Sequence, residues 1–360
     1  MDLNFLINGL AALLIVMTFL PKLNVDHWVV RVLDFPRLQI ATLLILIVIL
    51  QLSFFDATII SVVITIGTIV AVTYQLRWII PYTPLSRQEV KKAHTNEENF
   101  TITILSANVL MTNRNSDQVL KLVDDFNPDI IVTLETNRWW QQQLQPLEKK
   151  YPYLIQCPLD NLYGMHVYSK MPLKNSEIKF LVEEDKPSMH TAIELPDGKM
   201  ARLHFLHPAP PSPTENDESS ERDAELLVLA KELKAVKEPV IVAGDLNDVA
   251  WSRTTSAFRK ISGLLDPRIG RGTFNTFHAK YWFLRWPLDH LFHSHHFKLC
   301  TLKRMRDVGS DHFPLLSTLQ YDPGSDQKSK ESPDKEVDDW AKEKIEQEDV
   351  CEADVPNPAH

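Results

Sequence analysis

The chain has 360 residues, 44% of them hydrophobic, and a formal net charge of -9. The charge is unevenly spread: residues 1–92 carry 7 basic and 5 acidic groups, residues 93–320 carry 26 and 29, and residues 321–360 carry 5 and 13. A middle region of net -3 lacks the basic excess of a protein that grips duplex nucleic acid by its phosphates, and Cys157, Cys300 and Cys351 are too scattered for a disulfide framework or a zinc-cysteine site.

Three charge-free stretches come first: 19 residues between Asp2 and Lys22, 18 between Arg37 and Asp56, and 20 between Asp56 and Arg77. Each is long enough to cross a bilayer as a helix, and Trp28, Tyr74, Trp78 and Tyr82 near the ends suit the interfaces. We therefore expect a membrane anchor over residues 1–80, with about three transmembrane helices near 3–20, 38–55 and 57–76. The leading MDLNF is acidic, unlike the basic start of a signal peptide. Lys22, Arg31 and Arg37 load the first loop, and Arg77, Arg87, Lys91 and Lys92 follow the third stretch, whereas the turn at Asp56 has no basic residue. By the positive-inside bias this predicts a multi-pass protein of a bacterial inner membrane with the remainder of the chain in the cytoplasm.

Residues 81–99 turn abruptly to proline and charge and are expected to be a tether. Beyond it TITILSA at 101–107 alternates as a strand, Val119, Leu122, Val123 and Phe126 repeat at helical spacing, and DIIVTLE reads as a buried strand. ARLHFLH, PVIVAGD, PLDHLFH and HFPLLSTL read as further strands, and Leu226, Leu229, Ala230 and Leu233 mark a helix. Mixed strands and helices make the region an α/β or α+β domain spanning about 100–320. The proline-rich stretch at 208–220 is expected to be an exposed loop, and residues 321–360 a disordered acidic tail in which DDWAKEKIEQE forms at most a transient helix.

Carboxylates and imidazoles collect where these strands end: Glu135 after IIVTL, Asp245 and Asn247 after PVIVAG, and Asp311 with His312 before FPLLSTL. A single Asp after a strand is more often a turn former or a helix cap. Their order, however, resembles the endonuclease/exonuclease/phosphatase superfamily: SANV with Asn108, PDIIVTLE with Glu135, the strand-borne His207, GDLND with Asp245 and Asn247, PLDH with Asp289, and GSDHFP with Asp311 and His312. The resemblance covers about residues 100–320 and implies a four-layered α/β/β/α sandwich of two mixed sheets.

It also implies roles. Glu135 becomes the principal Mg²⁺ ligand, with Mn²⁺ as a substitute, assisted by Asn108; Asp311 is a further metal ligand. Asp245 orients and deprotonates water, Asn247 and His207 face the phosphate, and His312, its ring held by Asp289, opposes the non-bridging oxygens. Arg222 is a weaker phosphate-binding candidate. Where some members of the family have an acidic residue two positions after the first asparagine, this chain has Leu110. In HLFHSHH, a metal site is disfavoured because a strand sends alternate residues to opposite faces, so solvent-facing histidines are expected. Arg285 and Trp286, just ahead of Asp289, could contact substrate but are expected to pack the edge of the second sheet.

The function implied is a membrane-anchored, divalent-metal-dependent phosphoester hydrolase acting on a lipid, small-molecule or nucleic-acid phosphoester. Its alternatives are an endonuclease on DNA or RNA and a catalytically inactive membrane scaffold. The residues indicate no obligate protein partner.

Overall fold

The computed structural model describes residues 3–54, 56–93, 100–327, 329 and 332–359. Its N-terminal part is a bundle of three long helices, α1 (Leu3–Phe19), α3 (Arg37–Ser53) and α4 (Ile59–Ile79), with the short α2 (Trp28–Arg31) between the first two. Two segments, Leu3–Lys22 and Ile59–Tyr82, are long and apolar enough to cross a membrane. A third is available if Trp28–Asp34 and Arg37–Ser53, bent by 71°, form one span. Ala11, Leu14, Leu44 and Ala71 bury the seam of the bundle, and the outward Leu13, Leu46, Val63 and Ile66 are exposed. That is the inverse of a soluble protein's pattern.

The remainder is built on two sheets. The first has the strand order β10-β11-β1-β2-β4-β3 and the second β5-β6-β7-β8-β9. Strands β1 (Thr101–Asn108), β2 (Ile130–Leu134), β3 (Tyr153–Cys157), β4 (Met165–Ser169), β5 (Lys174–Lys179), β6 (Ser188–Glu194), β7 (Met200–Leu206), β8 (Val240–Asp245), β9 (Asp289–His293), β10 (Phe297–Arg304) and β11 (Leu315–Tyr321) make them. Each sheet holds one parallel pair, β1 with β2 and β7 with β8, joined by a crossover helix, and the other pairs are antiparallel. The facing sheets close over Ile102, Ile104, Val132, Leu203, Phe205 and Ile241. Outside the first sheet lie α5 (Ser116–Phe126) and α6 (Arg138–Leu144), seated by Leu122 and Trp140. Outside the second lie α7 (Ser220–Leu233), α8 (Arg253–Ser262) and α9 (Lys335–Gln347), seated by Leu226, Phe258 and Trp340. The result is the expected four-layered sandwich.

Three expectations need correction. The tail is not disordered where it is described: α9 packs against α7 because Trp340, Ala341 and Ile345 repeat at helical spacing and are buried there, and Lys344 pairs with Asp26. The tether is not loose over residues 81–93. Val90 enters the core between the sheets, Glu89 binds Arg259 at 2.9 Å, and residues 91–93 exchange backbone hydrogen bonds with Leu299; residues 94–99 lie outside the described part. Finally, His290, His293 and His296 are buried and only His295 of that cluster is exposed. Both faces of β9 are covered, so alternation did not send these rings to solvent.

The anchor is welded to the sandwich. Trp28 N donates to Asp217 O and Ser219 N to Asp26 O, Trp251 Nε1 donates to Asp34 O at 2.9 Å, and Phe35 packs beside Trp251, Leu288 and Trp286. The loop between the first two long helices is thereby clamped to the proline-rich 208–220 loop and to the edge of the second sheet.

Candidate active site

Parallel strands end on the same edge, and an antiparallel neighbour begins there. Asn108 ends β1, Glu135 follows β2, His207 follows β7 and Asp245 ends β8, while Asp289 opens β9 and His312 precedes β11. Topology therefore gathers residues more than two hundred positions apart onto one rim. Gly244 is needed for that convergence: at φ +148° a Cβ there would lie 2.0 Å from the carbonyl oxygen of Leu206.

Asn108 joins the two sheets. Its Nδ2 donates to Glu135 Oε1 at 2.8 Å and to Asp245 Oδ2 at 3.2 Å, while its Oδ1 accepts from Leu110 N. Glu135 also accepts from Met111 N and sits at φ +59°, a strained conformation for a residue with a side chain. Burial pushes its carboxyl up to about 7; the Asn108 donor opposes this and the nearby Asp311 adds to it. Leu110 takes the backbone turn, φ +60°, and supplies no acidic group.

A chain of charge runs through the other half. Asp289 Oδ2 lies 2.8 Å from His312 Nδ1, and His312 Nε2 lies 3.4 Å from Asp245 Oδ2. Burial disfavours a charged ring, but Asp245 and Asp289 outweigh it and push His312 up to about 10. The imidazolium is thus present at neutral pH. Burial raises Asp245 in turn, and the His312 charge holds it down. Asp245 Oδ1 accepts from Asn247 N at 3.0 Å, and Asn247, at φ +50°, anchors its amide on Pro208 O.

The remaining candidates are placed differently. His207 Nε2 is 4.0 Å from Asp245 Oδ2 and burial depresses it to about 4, so it is a neutral ring packed on Tyr163. Asp311 lines the same pocket as Glu135. Arg222 does not reach the site: it binds Asp223 and the Asn247 carbonyl and is a support beneath the Asp245–Asn247 turn. Trp286 lines the pocket, and Arg285 caps carbonyls of His278 and Ala279.

Oxygen donors suited to a hard cation meet here: Glu135, Asp245 and Asp311, with the Asn108 amide nitrogen bridging the first two and no lysine or arginine among the described residues lining the pocket. Ligand atoms of Asp245, Asp289 and His312 also lie within 4.8 Å of one another and could hold a metal ion. Within that trio His312 has a carboxylate at each nitrogen. No motif marks the residues opposite this rim. Val32, Leu33, Phe35 and Pro36 of the anchor face it across a pocket of about 520 Å³, and no catalytic motif includes them.

The model of the Endonuclease/Exonuclease/phosphatase family matches residues 105–312. Among solved structures, the human Nocturnin catalytic domain with bound sulfate is similar at 15% identity and TM-score 0.51, covering 62% of this chain and 96% of that one. A humanized TDP2 of D. rerio is similar at 17% identity and TM-score 0.50, covering 61% and 98%, and an endonuclease/exonuclease/phosphatase from Beutenbergia cavernae at 14% and 0.50, covering 62% and 72%. At such identities these structures speak for the fold alone, and comparison with curated proteins gave no match. With the family's motifs spanning more than half of the chain and its two-sheet sandwich around them, this protein belongs to the endonuclease/exonuclease/phosphatase family.

Proposed function

We propose that this protein is a membrane-anchored phosphoester hydrolase that requires a divalent cation, Mg²⁺ or Mn²⁺. One observation carries the reading: the Asp289–His312–Asp245 chain ends on the same pocket as the Glu135–Asn108 pair. A binding scaffold has no need to bury a doubly buttressed imidazolium beside unneutralised carboxylates. Glu135, with Asn108 and Asp311, would hold the cation, which when bound supplies positive charge to the phosphoryl oxygens. Asp245 orients a water and takes its proton as the water oxygen bonds to phosphorus and the phosphorus–oxygen bond to the leaving group breaks; the leaving oxygen departs with the bonding pair and takes a proton from solvent, to which Asp245 returns the one it received. His312 offers Nε2–H to the charge that develops on the phosphoryl group, and Asp289 keeps its ring aligned. Asn247 lines this pocket, and it and the neutral His207, 4.0 Å from Asp245, would be hydrogen-bonding groups for the phosphate.

The full chain, purified in detergent and stripped with chelator, should lose phosphodiesterase activity and regain it with Mg²⁺ or Mn²⁺; undiminished turnover in excess chelator defeats the reading. We further propose that the anchor spans an inner membrane three times with the sandwich in the cytoplasm. The basic residues of the first loop and of the segment after α4 support this, because contacts of the anchor loop keep both on one side. Exposed Cys351 is a natural reporter. An impermeant maleimide should label it in permeabilised cells and not in intact spheroplasts; labelling in intact spheroplasts rejects the orientation.

A further inference from the structure

The geometry points to a membrane amphiphile as substrate: a phosphoester whose hydrocarbon chain lies along the wall that the anchor contributes to the active-site pocket. This rests on the hydrolase reading above. The pocket, at about 520 Å³, is within the roughly 300–1,000 Å³ of small-molecule sites. Its two halves differ in chemistry. On one side are Glu135, Asn247, Asp311 and His312; on the other, Val32, Leu33, Phe35 and Pro36 face Leu284 and Trp286. The Phe35 and Trp286 rings meet edge to face at 5.6 Å, so the wall is a joint product of anchor and domain.

This wall stands at the end of a membrane helix. Pro36 directly precedes α3, and Gln39 in its first turn donates to the carbonyl of Phe283 at 2.9 Å. The loop so held presents Tyr281, Trp282 and Phe283, which are 51%, 78% and 53% exposed. Val29 and Val32 on the neighbouring anchor loop are exposed as well. Contiguous bare aromatic and aliphatic side chains beside apolar helices suit the headgroup region of a bilayer, where Trp and Tyr rings settle. An amphiphile there has its phosphate at the height of the catalytic rim and its chain beside an apolar surface.

The same lining argues against a nucleic-acid strand. Trp286, Phe277 and Phe35 could stack a base, but proteins that hold single strands set such platforms along a cationic groove. No lysine or arginine is found among the described residues lining this pocket, and two of its lining residues, Glu135 and Asp311, are carboxylates. Further phosphates of a polymer would meet either apolar side chains or like charge.

The test uses the full chain in mixed micelles with Mg²⁺ and three substrates: hexadecyl p-nitrophenyl phosphate, methyl p-nitrophenyl phosphate and a single-stranded oligonucleotide. The first two share the reacting group and differ only in the chain. We expect kcat/KM at least tenfold higher for the hexadecyl ester, and Phe35→Asp and Leu33→Asp should each lower the hexadecyl-to-methyl ratio about tenfold. Equal rates on the two esters, or faster cleavage of the oligonucleotide, overturns the amphiphile while leaving the hydrolase intact. A readout independent of turnover and of the variants is photo-crosslinking of wild-type protein by a hexadecyl phosphonate with a diazirine at the chain end. Adducts within residues 32–36 or 284–288 support the inference even if no ester is cleaved, an outcome that would sink only the hydrolase reading. Adducts confined to the outer faces of the long helices, such as Leu46 or Ile66, overturn it.

Discussion

Histidine serves two opposite purposes in the two halves of this sandwich. On the catalytic rim, His312 lies between Asp289 and Asp245 and is pushed up to about 10. In the middle of the second sheet, His190 on β6 faces His204 on β7, Nδ1 to Nδ1 at 2.8 Å. Burial takes His190 down to about 3 and His204 well below its ordinary value. All three rings are buried, so burial does not separate them. The difference is company: two carboxylates reverse the effect of a dry site, and another imidazole does not. A buried histidine is therefore a candidate for a charged role only through the carboxylates that hold its charge.

The largest expected effects fall on the charged side of that comparison. Asp245→Asn and His312→Ala should each lower kcat by about 10² to 10⁴, the range for a general base or a group opposing developing charge, in protein that is still folded at the assay temperature. A variant that keeps near wild-type kcat on a verified substrate removes that residue from the mechanism.

Much of this rim was legible in the sequence because each of its members ends or begins a strand whose apolar pattern is unmistakable. DIIVTLE and PVIVAGD put Glu135 and Asp245 at the ends of β2 and β8, and their order named the family. What could not be read depended on partners far away in the chain. HLFHSHH looked like a solvent-washed strand, but its burial is decided by Arg268 and Asp248, which take both nitrogens of His290. Val32 to Pro36 looked like a plain connector between helices; only docking against Trp286 and Leu288 makes it part of the site. The tail misled through composition. Charges on α9 other than the buried Lys344 face outward, whereas Trp340, Ala341 and Ile345 cover α7 and the Arg253 guanidinium lies 4.2 Å over the Trp340 ring. Trp340→Ala should accordingly destabilise the sandwich by about 3 kcal/mol, the lower end for a buried Trp→Ala, seen as a clear drop in Tm. An unchanged Tm would restore the tail to the status of an unattached segment.

Asp289→Ala sharpens the comparison within the rim. Removing one of its two carboxylates should move His312 back toward the ordinary imidazole value, cost about 10- to 10²-fold in kcat at neutral pH, and bring the alkaline limb of the rate profile down from about 10. The sign also holds for stability. A group raised in the folded state contributes fully below the unfolded value of about 6.5 and loses that contribution as pH rises through the folded value. A profile in which the limb stays in place after Asp289→Ala would mean that this carboxylate does not hold the charge.

The smallest effect belongs to the neutral pair and has the opposite sign. With Ser188 Oγ donating to Lys179 O, His190 Nε2–H donates to Ser188 Oγ and His204 Nδ1–H donates to His190 Nδ1, which leaves His204 Nε2 as a buried nitrogen without a partner. The close nitrogens have room for a single proton between them, so a first added proton can go only to the outer Nε2 of His204, where it creates a buried cation, and a second would break the pair. In the unfolded chain both rings bind protons below about 6.5. The pair thus stabilises the fold above that pH, and the contribution falls away as pH drops toward the depressed folded values, about 3 for His190. The loss is at most about 1.4 kcal/mol per pH unit for each ring. Replacing both as His190→Phe with His204→Leu removes the titration together with the pair. Between pH 7 and 5, Tm of this double variant in detergent should fall less steeply than wild type by several degrees, even if it starts lower. Parallel curves would mean that the two imidazoles accept charge inside the sheet, and that carboxylate company is not what sets His312 apart.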